Sequence, residues 1–190
     1  MEQRSDIELI DQVRNGNRQA FTELMRRYQT RVYWTAKRIV GNHDDADDVA
    51  QETFVKAYTG LGEFRGDSSF FTWLYRIAVN LSLNALRKRQ LVTYLRESEI
   101  INRFFPSSED PLKDAVQRDQ ERLVEKAVAT LPEKQRAVFV MRYYDEMSYE
   151  EISEVLKTSI GGLKANYFHA LRKVQELLKD EIQTGKTHTD

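Results

Sequence analysis

Apolar residues recur with a helical period along most of this sequence, and that period limits the fold to packed helices. Phe21, Leu24, Tyr28 and Val32 follow one another at intervals of three and four residues, as on the buried side of a long amphipathic helix. Helix breakers are few, with 8 glycines and 3 prolines among 190 residues. One of them, Gly41, ends the segment that begins near Phe21. The pattern predicts an all-α protein.

The periodic pattern fades once, between residues 91 and 112. Residues 106–111 read Pro-Ser-Ser-Glu-Asp-Pro, a composition typical of a connecting segment. The preceding helix is expected to end near Arg89. We therefore predict two small helical domains, residues 1–90 and 113–190, joined by a flexible linker over residues 91–112.

The second domain carries a local pattern of two helices separated by a tight turn. Ser148 and Glu151 form the capping box that begins a short helix, and residues 157–159 make the turn. Ser159 is placed to cap a longer basic helix. This arrangement is typical of a helix-turn-helix, although an α-hairpin in a bundle has the same pattern.

Composition excludes several kinds of chemistry. The chain contains no cysteine, which excludes disulfides and thiolate catalysis and is typical of a cytoplasmic protein. His43, His169 and His188 lack the spacing of metal ligands, and neither a cofactor nor a metal is expected. No apolar run is long enough to cross a membrane, and the N-terminus lacks a secretory signal, so we expect no membrane insertion.

Charge is balanced overall, at a formal −1, but it is unevenly distributed. Residues 44–48 are strongly acidic, and the helix after them places Asp48, Gln51, Glu52 and Val55 on one side at helical spacing. The aspartates also suit a helix N-terminus, where the helix dipole favours negative charge. Two interpretations stay open for this side of the helix: a solvated face or a surface that docks a protein partner.

A second unusual stretch, residues 70–89, combines aromatic side chains with basic ones. Trp73 and Ile77 are expected on the inner side of this helix, whereas Phe70, Tyr75 and Asn80 need not lie there. Aromatic rings could be core, or they could stack on the bases of a single nucleic-acid strand beside phosphate-binding cations. Arg87 and Lys88 on the same helix favour the second interpretation, and the amide of Asn80 can pair with a base edge.

The long C-terminal helix is the candidate for reading duplex DNA. Its N-terminal half contains Lys164, Asn166 and His169, and Arg172 and Lys173 follow. In helix-turn-helix proteins, residues near the start of the second helix enter the major groove. The alternative is a bundle helix with one solvated side.

These pieces, in this order, resemble the sigma-70 family of bacterial RNA polymerase sigma factors, in its extracytoplasmic-function (ECF) group. The resemblance covers nearly the whole chain. It rests on five segments: AFTELMRRYQTRVY, DADDVAQETFVKAY, FRGDSSFFTWLYRIAVN, LPEKQRAVFVMRYYDEMSYEEIS and TSIGGLKANYFHALRKV.

The resemblance implies a non-catalytic subunit that binds core RNA polymerase and directs it to promoters. In the family, the helix matching residues 44–58 docks on the clamp helices of the largest polymerase subunit, and the C-terminal domain reaches the flap. This implies polymerase docking for Asp48, Gln51, Glu52 and Val55. The linker would run through the polymerase, and an anti-sigma factor would hold the protein inactive, in some relatives at the inner face of the membrane.

The same resemblance implies two contacts with promoter DNA. The −10 element is read as a melted strand, and the −35 element as a duplex. A stand-alone helix-turn-helix regulator is the alternative, but it leaves the acidic helix without a role. The implied −10 residues are Phe64, Phe70, Trp73, Tyr75, Arg76, Asn80, Asn84, Arg87 and Lys88, and the implied −35 residues are Lys164, Ala165, Asn166, Phe168, His169, Arg172 and Lys173.

Overall fold

The computed structural model describes residues 4–98 and 115–186, and within them the side chains of residues 4–92 and 122–180. The described residues form eight α-helices and contain no strand, which confirms the all-α prediction. The helices are α1 (Asp6–Arg14), α2 (Arg18–Val40), α3 (His43–Gly60), α4 (Phe70–Ser98), α5 (Ala115–Ala129), α6 (Glu133–Phe139), α7 (Tyr149–Leu156) and α8 (Ile160–Lys186). A 3₁₀ turn, Leu61–Glu63, follows α3, and a π-helical turn, Val140–Tyr144, continues α6.

Short polar caps set the helix ends. Gly41 ends α2 with φ at +90°, a left-handed conformation that glycine adopts without strain. The predicted capping box begins α7, where the Ser148 hydroxyl accepts a 3.2 Å bond from the Glu151 amide and the Glu151 carboxylate accepts a 2.7 Å bond from the Ser148 amide. The Ser159 hydroxyl accepts from the Gly162 amide at 3.3 Å, which confirms Ser159 as the cap of α8.

The N-terminal domain is a bundle in which α2, α3 and α4 pack on one another around Leu24, Ile39 and Leu74. The first helix lies across α2, and an ion pair of 2.8 Å between Arg27 and Asp6 holds it there. Burial of these apolar side chains, at about 25 cal/mol per Å², supplies most of the stability of such a bundle.

The C-terminal domain packs α5 and α6 against α8, with α7 and α8 forming the predicted helix-turn-helix. Phe139, Ile152 and Leu163 lie at its centre, fully buried. Lys157 makes the turn between α7 and α8 in the left-handed region, with φ at +52°. This turn sets the angle between α7 and α8.

The two domains contact each other through α2 and α4 on one side and α5, α6, α7 and the π-helical turn on the other. Arg136 of α6 donates a 2.8 Å hydrogen bond to the carbonyl of Ile39 in α2. Buried side chains of both domains belong to one continuous apolar cluster. A sequence organised as two domains therefore folds here with those domains closed on each other.

The expected end of α4 near Arg89 was wrong. The helix continues to Ser98, because residues 91–98 contain neither glycine nor proline and can extend a helix that is already nucleated. The remainder of the predicted linker, residues 99–112, lies outside the described residues.

Candidate docking and nucleic-acid-binding surfaces

The exposed side of α3 holds the four residues predicted to dock a protein. Asp48, Gln51 and Glu52 are exposed, and Val55 has 62% of its surface in solvent. Glu52 also pairs with Lys56 one turn later, at 3.4 Å. An exposed valine among carboxylates and amides gives this side an apolar contact point within a polar rim.

A groove of about 840 Å³ lies beside that surface, between α2 and α3. Its lining is mostly apolar and aromatic, and it includes Val55 and Gln51. Trp34, on the opposite wall, is 40% exposed, and Tyr58 is 43% exposed with its ring against that of Phe21. Sequence reasoning missed Trp34, which stands between Tyr33 and the buried Thr35 on α2. The groove is lined by Phe21, Met25, Gln29, Thr30, Tyr33, Trp34, Asp47, Ala50, Gln51, Phe54, Val55, Tyr58 and Thr59.

The aromatic residues at the start of α4 are more deeply buried than the sequence indicated. Phe70, which helical spacing did not require on the inner side, is 3% exposed and belongs to the core. Its ring packs at 6.0 Å from Phe64 and 5.8 Å from Trp73, and Tyr28 covers it from α2. Phe64 is buried as well, and Trp73 is half-buried. These three rings pack on one another on either side of the loop of residues 65–69 in the chain.

Tyr75, which helical spacing likewise did not require on the inner side, is fully buried. Its hydroxyl lies 3.0 Å from that of Thr35, and Thr35 donates a 2.8 Å hydrogen bond to Asp145 of the C-terminal domain. Thr35 therefore links the Tyr75 hydroxyl to Asp145 of the other domain. Burial raises the pKa of the Tyr75 hydroxyl to about 12, and the nearby carboxyl of Asp145 adds to the rise.

Asp145 lies between the domains in a setting that disfavours its charge. Burial raises the pKa of its carboxyl to about 6, although the Thr35 hydroxyl and the cations of Arg38 and Arg31 lower it. Arg38 also stacks on Tyr144, with its guanidinium carbon 4.1 Å from the ring centre. Sequence reasoning missed this contact. The one sign of this interdomain contact in the sequence was Thr35, a polar residue among the apolar positions Val32, Ala36 and Ile39 of α2.

The remaining −10 candidates lie along an accessible side of α4. Asn80, Asn84, Arg87 and Lys88 are exposed, and Arg76 is half-buried. Arg87 Nη1 donates to the Asn84 side-chain oxygen at 3.4 Å, and Arg87 Nε lies 3.5 Å from the Glu133 carboxylate of the other domain. The fold thus presents two amides and two cations together, while one cation is paired with a carboxylate of α6.

The α8 candidates are exposed with one exception. Phe168 has 61% of its surface in solvent and contacts the His169 ring edge-on. Asn166 is half-buried, and its amide donates a 2.9 Å bond to the Gly162 carbonyl of its own helix. Three cations have partners within the domain: Lys164 lies over the Tyr149 ring, Arg172 pairs with Glu176, and Lys173 donates to the Thr130 carbonyl. Ala165 is exposed between them.

Two sequence families match the chain. Sigma-70 region 2 matches residues 24–92, and sigma-70 region 4 matches residues 121–174. The chain belongs to the sigma-70 family. These two matches cover most of α2, all of α3, most of α4 and most of the C-terminal domain, and so include the candidate surfaces of α3, α4 and α8.

Curated relatives extend the match to nearly full length. The chain is 35% identical to the RNA polymerase sigma-H factor of Pseudomonas aeruginosa, over 93% of this chain and 95% of that protein. It is 32% identical to the ECF RNA polymerase sigma-E factor of Haemophilus influenzae, over 96% of this chain and 97% of that one. It is an ECF sigma factor.

A solved structure shows the same arrangement of helices. The structure of CnrH in complex with the cytosolic domain of CnrY matches with a TM-score of 0.69 and 26% sequence identity, covering 93% of this chain and 98% of CnrH. Within residues 4–98 and 115–186, no helix is long and apolar enough to cross a membrane. The same part of the chain contains no group of three or more histidine, aspartate or glutamate side chains that could hold a metal ion.

Proposed function

We propose that this sigma factor uses three separate surfaces, one for polymerase and two for promoter DNA. The observation that carries the proposal is their separation on the fold: α3 presents an acidic side with an exposed valine, α4 presents amides with cations, and α8 presents a mixed polar and aromatic side. We assign residues 1–90 to the first unit, 91–112 to the linker and 113–190 to the second unit. The protein acts by binding and carries out no catalysis.

Polymerase docking is assigned to Asp48, Gln51, Glu52 and Val55 on α3. Their carboxylates and amides suit a partner helix with basic residues, and Val55 supplies an apolar contact. The groove beside them gives the partner a recess lined by Trp34 and Tyr58. The expected partner is the clamp helices of the largest polymerase subunit, with the flap contacting the C-terminal domain.

Reading of the melted −10 strand is assigned to the exposed side of α4. Asn80 and Asn84 can donate to and accept from an unpaired base, and Arg87 and Lys88 can bind its phosphates. Trp73 and Arg76, both half-buried, are placed at the edge of this surface. Phe64 and Phe70 act from beneath it, and Tyr75 becomes available only when the domains separate.

Reading of the −35 duplex is assigned to α8. Lys164, Ala165, Phe168 and His169 face solvent near the start of the helix, which is the part that enters a major groove. Arg172 and Lys173 lie one turn further on, where phosphates would be reached. Asn166 must exchange its bond to the Gly162 carbonyl for a base edge.

Regulation is assigned to an anti-sigma factor that covers the polymerase-binding surface. The groove supports a protein partner, because its aromatic and apolar lining includes the partly exposed Trp34, Val55 and Tyr58 beside the acidic side of α3. The protein would act in the cytoplasm, and an anti-sigma factor in the membrane would hold it at the inner face.

Two matched substitutions test the division of labour in transcription with purified core polymerase. Asn80→Ala should reduce open-complex formation, or relax the base preference at one −10 position, while affinity for core polymerase stays unchanged. Asp48→Lys should weaken core binding and leave the base preference intact. If the Asn80 variant lost core binding as much as open-complex formation, Asn80 would have a structural role. Unchanged core affinity in the Asp48 variant would remove α3 as the docking surface.

A further inference from the structure

Arg14, the last residue of α1, reaches across to the turn that precedes α4. One Nη atom donates a 3.2 Å hydrogen bond to the carbonyl of Leu61 and a second, short one to the carbonyl of Phe64. The other Nη atom lies 3.6 Å from the carboxylate of Asp11 on the same helix. The planar guanidinium of Arg14 therefore contacts two carbonyl oxygens and one carboxylate. The carbonyls belong to Leu61, the first residue of the 3₁₀ turn Leu61–Glu63, and to Phe64, the residue that caps its C-terminal end.

The turn leads directly into the loop of residues 65–69, whose two ends are both fixed. At its start, Phe64 has its ring packed on Phe70 and Trp73 and its carbonyl held by Arg14. At its end, the Ser69 hydroxyl accepts a 3.0 Å bond from the Thr72 amide and so caps α4. Between these points Gly66 has φ at +77°, which allows the chain to reverse.

The loop between those anchors is exposed. Arg65, Gly66, Asp67 and Ser69 are exposed and Ser68 is half-buried, so the side chains of Arg65 and Asp67 are accessible to a ligand. A loop that recognises a base must present its groups within a fraction of an ångström, which requires rigid support from the elements around it. α1 itself is held to α2 by the Arg27–Asp6 ion pair and by a hydrogen bond from Tyr28 to Asp6.

We propose that Arg14 is a positioning residue for promoter-strand recognition, which holds the Leu61–Phe64 turn so that the loop of residues 65–69 contributes to base selection at the start of α4. The inference rests on the proposed role of α4 in reading the −10 strand. It gives α1 a function, because α1 transmits the rigidity of α2 through Arg14 to the loop. Arg14 contacts protein carbonyls and does not touch DNA.

The chemistry of the guanidinium makes the role specific to arginine. Arginine can donate to both carbonyls and keep its charge near Asp11, whereas a lysine ammonium lacks the planar arrangement of donors. Arg14→Lys should therefore retain part of the loop positioning that Arg14 provides, and Arg14→Ala should remove it. Arg18, an exposed residue at the start of α2, offers a matched control, Arg18→Ala, that removes the same charge from the same domain.

The test uses holoenzyme assembled from core polymerase and each full-length variant. Binding is measured by fluorescence anisotropy on fork-junction DNA with a single-stranded −10 element, in which one base at a time is replaced by each of the other three. We expect Arg14→Ala to weaken binding of the preferred sequence about tenfold and to flatten the preference at one position. Arg14→Lys should lie between Arg14→Ala and wild type, and Arg18→Ala should match wild type.

Two further measurements separate positioning from general stability. Affinity for core polymerase and the melting temperature of the free protein are measured for every variant. Unchanged strand binding and base preference in Arg14→Ala would overturn the proposal, and so would a parallel loss of core affinity and of base preference. If wild-type holoenzyme itself shows no base preference on the single strand, the proposed role of α4 fails, and that outcome is distinct from an unchanged Arg14 variant.

Discussion

Acidity should strengthen the closure of the two domains, because Asp145 is more easily protonated between them than in water. The carboxyl of Asp145 faces the Thr35 hydroxyl, the Tyr75 hydroxyl and the cations of Arg31 and Arg38. Its pKa rises from an ordinary value of 3.8 to about 6, mainly through burial. A raised pKa means that the closed state prefers the protonated acid, so closure is favoured at low pH and loses that support as the pH rises through 6.

The size of the effect follows from the two pKa values. The rise from 3.8 to about 6 corresponds to about 3 kcal/mol between the acidic and alkaline limits, at about 1.4 kcal/mol for each pH unit. More than half of this change in free energy occurs below pH 5. Between pH 5 and pH 7.5 the equilibrium constant for domain closure should fall by about tenfold.

Energy transfer between dyes on the two domains measures this equilibrium directly. The chain has no cysteine, so Thr22→Cys and Glu154→Cys, both at exposed helix positions, provide one label on each domain. We expect transfer to decrease from pH 5 to pH 7.5. Asp145→Asn cannot ionise and keeps an oxygen acceptor for Thr35, so its closure should not vary with pH through this contact.

The comparison of these two proteins decides the matter. Equal pH profiles for the wild type and the Asn variant would refute the reasoning, because every other ionisable group is the same in both. An increase in separation on acidification would contradict the sign of the effect. Opening at higher pH should also expose Tyr75 and release Arg87 from Glu133.

Four substitutions test local features of the fold by thermal denaturation. Ser148→Ala should destabilise the C-terminal domain by about 1 kcal/mol, because the Glu151 amide loses the Ser148 hydroxyl that accepts its hydrogen bond. Gly41→Ala should cost about 1 kcal/mol, because φ is +90° there, whereas Gly161→Ala, in α8 with open space around it, should be neutral or stabilising. Phe139→Ala should cost about 3–5 kcal/mol, because the ring is buried among Tyr143, Tyr144 and Tyr167. An unchanged melting temperature for Ser148→Ala, Gly41→Ala or Phe139→Ala, or a loss in Gly161→Ala as large as in Gly41→Ala, would contradict these assignments.

Helix positions and their solvent-facing sides could be predicted from the sequence because they depend on contacts within a few residues. Gly41 ends α2 and Ser148 begins α7 as expected. The side of α3 that carries Asp48 and Val55 follows from helical spacing alone, and the structure exposes both. The same holds for the exposed start of α8.

Which side chains cover one side of a helix depends on residues far away in the chain, and for α4 no local pattern indicated them. Phe70 is buried by Tyr28 of α2 and Phe64 of the preceding turn, and the buried Tyr75 meets Thr35 of α2 through its hydroxyl. The Arg14 bonds to Leu61 and Phe64 span about 50 residues, and no local pattern marks them.

The sequence by itself determined the family, the helices, their caps and the exposed sides of α3 and α8, because each depends on residue types at fixed short spacing. The tertiary structure alone decided that the domains close on each other, that Thr35 meets Asp145, and that a groove opens between α2 and α3. The physical reason is that burial is set by packing between distant segments. An aromatic side chain on a helix has the same local signature whether another helix or solvent lies over it.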